Sequence, residues 1–168
     1  MTNKKASIIA IIAVVIIFMI YDRFKPLSEE KIIAKQGVAT LYLDNSYKNI
    51  DSTQAPAGTL LAQYSNRHDL TVIVTGSHLT AEEARDSLEN YSEKLIKGAP
   101  EGTSVELLEV IPQLDEIYYT ITAPEKLYTW QRLKRDGDQL TVIAVTAEEE
   151  NPKVDPLVIL KEAQFGAH

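Results

Sequence analysis

Apolar and polar residues fall into three patterns along this chain: an unbroken apolar run, alternation with a period of two, and a helical stripe. Residues 6–21, ASIIAIIAVVIIFMIY, carry no charge and only one polar side chain, Ser7, besides the tyrosine hydroxyl. A surface helix of a globular domain shows a polar face, and this run has none. Residues 38–44 (VATLYLD), 59–65 (TLLAQYS) and 69–77 (DLTVIVTGS) read as strands. In the last of these, Leu70, Val72 and Val74 point one way and Thr71, Ile73 and Thr75 the other. Few polar groups fall on either face, which predicts a central strand. Residues 80–98, TAEEARDSLENYSEKLIKG, predict one helix. Thr80 and Glu83 form a T-x-x-E capping box. Ala84, Leu88, Tyr91 and Leu95 make an apolar stripe at helical spacing. Lys94 and Lys97 sit at the negative end, and Gly98 stops the helix.

Four strand-like runs follow, at residues 103–114, 116–124, 126–135 and 139–147. RDGDQ joins the last two, and its Asp-Gly pair predicts a type I′ hairpin turn. PQLDE makes the earlier tight connection, so the four runs read as an antiparallel meander. Asp155 and Pro156 are the N-cap and first residue of a terminal helix over residues 156–165. Residues 28–35 read as a short helix or linker after Pro26, and residues 45–58 as loop. The expected fold class is α+β: one N-terminal transmembrane helix, then a single domain with a mainly antiparallel sheet and two packed helices. The expected organisation is a membrane anchor at 1–24, a linker or short helix at 25–37, and a globular domain at 38–168.

A helix over residues 6–21 reaches about 24 Å, against about 30 Å for a bilayer core. Lys4, Lys5 and Arg23 can snorkel, and Tyr21 suits the interface, so the shortfall is covered. No small-residue cleavage site follows the run; FMIYDRFKP is bulky and charged. The reading is an uncleaved single-span anchor that meets lipid, with Ser7, Ile8, Ile12, Val15, Phe18 and Tyr21 as its anchor residues. Lys4 and Lys5 before the run are nearly balanced by Arg23, Lys25, Lys31 and Lys35 after it. The short leader resembles a signal anchor, which puts the amino terminus in the cytoplasm and the domain outside it.

The net charge of −7 lacks the basic footprint of a non-specific nucleic-acid binder. The absence of cysteine excludes disulfides, thiolate metal sites and a cysteine nucleophile. His68 and His78 lie at opposite ends of one predicted strand, too far apart for one metal; His168 ends the chain. The glycines form neither GxGxxG nor GxxxxGK, and TGSHL is not a nucleophile elbow. Glu106 and Glu109 are an ordinary pair of strand carboxylates. No catalytic, cofactor or metal site is expected.

The aromatic residues carry more information. Alternation puts Tyr118 and Tyr119 on opposite faces of one strand, and Tyr128 and Trp130 on a common face of the next. Pairing centred near Pro124 and Glu125 brings these aromatics together across the ladder. One reading is a half-buried cross-strand cluster. The other is a partner interface made by Tyr128, Trp130 and Arg132, residue types that anchor protein interfaces.

The stretches LTVIVTGSHLTAEEARDSLENYSEKLI and YTWQRLKRDGDQLTVIAVTA, with VDPLVILKEAQF after them, resemble the α/β sandwich of the PsbP-like and DcrB-like superfamily. There, an early strand pair and a helix precede a long antiparallel meander, and a last helix packs back on the sheet. The resemblance implies a non-enzymatic assembly factor, chaperone or binding module; the uncleaved anchor is a departure from it. The expected function is a membrane-anchored extracytoplasmic protein-binding module in a bacterial inner membrane. An immunity protein and an accessory factor of an envelope or secretion complex are two forms of it. The competing readings are an envelope hydrolase or ligand-binding enzyme, and a cytoplasm-facing anchored adaptor.

Overall fold

A seven-stranded antiparallel sheet organises the chain, and it buries side chains on both faces. The computed structural model describes residues 28–34, 37–44, 46–49, 60–66 and 70–166. The anchor at 6–21, with its residues Ser7, Ile8, Ile12, Val15, Phe18 and Tyr21, lies outside the described residues, as do His68 and His168. Among the described residues no helix is long and apolar enough to cross a membrane.

The strands are β1 (Ser28–Ala34), β2 (Gly37–Leu43), β3 (Lys48–Asn49), β4 (Leu60–Ser65), β5 (Thr71–His78), β6 (Ser104–Ile111), β7 (Glu116–Thr122), β8 (Lys126–Asp136), β9 (Gln139–Ala147) and β10 (Gln164–Phe165). The helices are α1 (Leu88–Lys97) and α2 (Pro156–Glu162). The large sheet has the order β3-β4-β5-β9-β8-β7-β6, and a small sheet has the order β1-β2-β10. The meander from β6 to β9 and the central place of β5 agree with the periodicity. The class is α+β, mainly antiparallel, with two helices.

One face of the large sheet packs against β2 and α2. Val72 and Val74 of β5, Ile143 and Val145 of β9, and Trp130 of β8 meet Leu41 and Leu43 of β2 and Ile159 and Leu160 of α2. The opposite face packs against α1, where Leu88, Tyr91 and Leu95 lie over Ile117, Tyr119, Leu133, Leu140 and Val142. The predicted helical stripe is thus the buried one. On this second face a polar chain crosses the apolar layer. The Tyr119 hydroxyl donates to Gln131 Oε1 at 2.8 Å, and Gln131 Nε2 donates to the Tyr91 hydroxyl at 3.2 Å.

Four local expectations are corrected. The segment read as a short helix or linker is strand β1, fully paired with β2 from Ser28↔Leu43 to Ala34↔Gly37. A short isolated helix lacks the partners that this ladder supplies. The single helix over 80–98 is divided. The capping box forms, with the Thr80 N–H donating to Glu83 Oε2 at 2.8 Å and the Glu83 N–H to Thr80 Oγ1 at 3.3 Å. It closes only the turn from Thr80 to Glu83 that leads into the 3₁₀ turn Glu83–Arg85, whose own N-cap Glu82 makes no side-chain bond, and Asp86 then leaves helical geometry. Ser87 then caps α1 by accepting from the Asn90 N–H, while the Asp86 carbonyl accepts from Arg135.

The β8–β9 hairpin has a positive φ at Gly137 alone of its two loop residues. That is the pattern of a type II′ turn, with glycine first, rather than type I′. The terminal helix stops at Glu162, and Gln164 and Phe165 pair with Thr40 and Ala39 of β2. Its cap is as expected: Asp155 Oδ1 accepts from the Leu157 N–H at 2.9 Å.

Candidate interaction surface

The register of β6, β7 and β8 fixes a three-by-three grid on the face that carries Trp130. The rows are Ile111–Glu116–Arg132, Glu109–Tyr118–Trp130 and Glu106–Thr120–Tyr128. Regular alternation would pair Leu108 with Tyr118 and turn Glu109 to the α1 face. A bulge between Leu107 and Glu109 shifts the register by one, so Glu109 is the partner of Tyr118. The bulged Leu108 is exposed.

Tyr128, Trp130 and Arg132 share this face, and the structure gives them three different roles. Trp130 is only 8% exposed and belongs to the core cluster. Its ring stacks on Tyr118, with centroids 4.9 Å apart and planes 10° apart. Tyr128 is half-buried against the same cluster, with Lys126 Nζ 5.0 Å from its ring centroid. Arg132 donates from Nη1 to the Leu160 carbonyl at 2.7 Å and so ties β8 to the last turn of α2. Its Nε lies 3.8 Å from Glu116 Oε1.

Glu116 is 5% exposed. Burial raises its pKa above the ordinary carboxylate value, and Arg132 and Lys161 oppose the shift without cancelling it. Beyond Arg132, a cleft of about 520 Å³ opens between the β6–β7 connection, β8 and β10, lined by Leu114, Arg132, Lys134 and Phe165 among others. Lys134 is exposed there.

The covering layer, β2 with α2, lies over β5, β9 and β8. Toward β6 the grid opens. Glu106 and Glu109 are exposed, Tyr118 is half-buried, and Glu148, Glu149 and Glu150 are exposed in the loop after β9. Burial raises the Tyr118 hydroxyl pKa, and the nearby Glu150 carboxylate raises it further. Tyr118 and Tyr128 are the two half-buried aromatic groups of the surface, and of these Tyr118 has an aromatic base, supplied by Trp130, and carboxylates near it at Glu109 and Glu150. Sequence alternation places Tyr118 on this face; Glu109 joins it only through the bulge. At the far end of β5, His78 Nδ1 is 3.7 Å from Asp138 Oδ2 on an exposed hairpin end. Among the described residues no three His, Asp or Glu side chains converge as a metal site would require.

No protein-family model matches the chain, and no curated protein matches it. Among solved structures it is similar to the solution structure of cyanobacterial PsbP (CyanoP) from Synechocystis sp. PCC 6803. The identity is 13% and the TM-score 0.47, over 73% of this chain and 81% of that one.

Proposed function

We propose that this chain is a membrane-anchored protein-binding module, held in a bacterial inner membrane by residues 6–21 with its globular domain outside the cytoplasm. It binds rather than catalyses. The fold is of the PsbP-like and DcrB-like kind, and the site is the open part of the grid on β6, β7 and β8. The observation that carries this reading is the Tyr118–Trp130 stack at the margin of the covering layer. An aromatic group on a rigid base loses little conformational freedom when a partner covers it, which is why tyrosine serves well in interfaces.

The uncharged apolar run at 6–21 supports the tether. A tether confines the domain to the membrane surface and raises its effective concentration toward a partner held there. An immunity protein against an incoming toxin and an accessory subunit of an envelope or secretion complex both use such an arrangement. Protease treatment of intact spheroplasts tests the topology. Digestion of the globular domain, with a cytoplasmic marker intact, is expected; a protected domain contradicts the reading.

A further inference from the structure

The geometry points to the chemistry of the partner: we infer that the Tyr118 surface takes an arginine-bearing basic segment of another protein. This rests on the binding-module reading and adds the class of partner to it. Trp130 covers one face of the Tyr118 ring, because the two stand nearly parallel on neighbouring strands. The other ring face is turned toward β6, where Glu109 is the register partner. A guanidinium entering there meets the negative face of an aromatic ring on one side and a carboxylate on the other. Glu106, one row along, and Glu150, close enough to act on the Tyr118 hydroxyl, extend the negative rim.

Among the described residues, the cations recorded on the grid are engaged elsewhere on it, with Lys161 acting on Glu116. Arg132 is tied to the Leu160 carbonyl, and Lys126 lies over Tyr128. Charge also argues against a second copy of this chain meeting its own β6 edge to edge. Such a pair would set Glu106 and Glu109 of both copies against each other, and like charges directly opposite are unfavourable. Arginine suits the site better than lysine because a planar guanidinium stacks on the ring while its N–H groups reach the carboxylates.

Trp130 is the only tryptophan of the chain, so its fluorescence reports on the stack directly. Full-length protein in an uncharged detergent is titrated with tetra-arginine amide, tetra-lysine amide and tetra-glutamate. A saturable Trp130 response to tetra-arginine is expected, weaker for tetra-lysine and absent for tetra-glutamate, and weakening as salt is raised. Glu109→Gln, an exposed and fold-neutral change, is expected to weaken tetra-arginine binding by roughly threefold to tenfold. Tyr118→Phe, which keeps the ring, retains it. Glu93→Gln on α1 is the control and leaves binding unchanged.

No saturable response in the wild type overturns the inference, and so does equal binding by the wild type and Glu109→Gln. A protein partner whose capture is insensitive to Glu109→Gln and to salt would also overturn it, while leaving the binding-module reading in place. A protected domain in spheroplasts would sink that reading without touching the fluorescence result.

Discussion

Tyr118 and Trp130 stack across neighbouring strands, 4.9 Å between centroids, and the pair joins the core to the open grid. Trp130 is the buried member, so Trp130→Ala tests the fold before it tests any interface. It is expected to cost about 3–5 kcal/mol in chemical denaturation. A double-mutant cycle of Tyr118→Leu with Trp130→Leu should return a coupling of about 0.5–1.5 kcal/mol from the aromatic contact itself. Additive losses would remove the stack as a stabilising contact.

On the α1 face, Gln131 satisfies two tyrosine hydroxyls at once. Burial raises both the Tyr91 and Tyr119 pKa values, so neither hydroxyl ionises near neutral pH. Gln131→Leu fits the volume but strands polar groups. A loss of about 1–3 kcal/mol is expected, partly recovered when Tyr119→Phe is added. No recovery in the double variant would mean that the chain of hydrogen bonds is not what Gln131 contributes.

Glu116 sets a pH dependence of definite sign. Its folded pKa is raised, so its neutral form fits the folded chain better than its anion does. The associated stability is complete below the unfolded carboxylate pKa and is lost as pH rises through the higher folded value. Glu116→Gln should therefore be more stable than the wild type at pH 7, with the two converging in acid. Thermal melts of both proteins across that range check this; a variant less stable at pH 7 would show that the Arg132 pair outweighs burial.

The two caps before α1 are not equivalent. Ser87 caps the helix proper, and Ser87→Ala should cost about 1 kcal/mol. Thr80 holds only the exposed turn from Thr80 to Glu83 before the short 3₁₀ segment, and Thr80→Ala should cost less. Equal losses measured in urea would argue that the Glu83–Arg85 turn and α1 unfold as one helix.

These caps also mark where sequence pattern and structure part. The period of two along β5 and along the meander identified the central strand, the antiparallel order and the shared face of Tyr128, Trp130 and Arg132. The helical stripe identified Leu88, Tyr91 and Leu95 as core. Pattern could not reveal that Ser28–Ala34 pairs with β2, because the partner is a separate run with its own signals. Nor could it separate two capping signals seven residues apart, since the choice depends on Arg135 reaching the Asp86 carbonyl from β8. The candidate site was legible in its aromatic half only. Glu109 faces Tyr118 through a bulge that alternation alone does not contain, and Trp130 is buried by β2 and α2, which arrive from both ends of the chain.

Position-specific crosslinking in the membrane of intact cells tests the central claim most directly. A photo-activatable amino acid replaces Leu108, exposed on the bulge beside Glu109, and in a second protein replaces Glu93 on α1. The account predicts a discrete light-dependent adduct of higher mass from position 108 and none from position 93. No adduct at 108, or the same adducts from both positions, would contradict it.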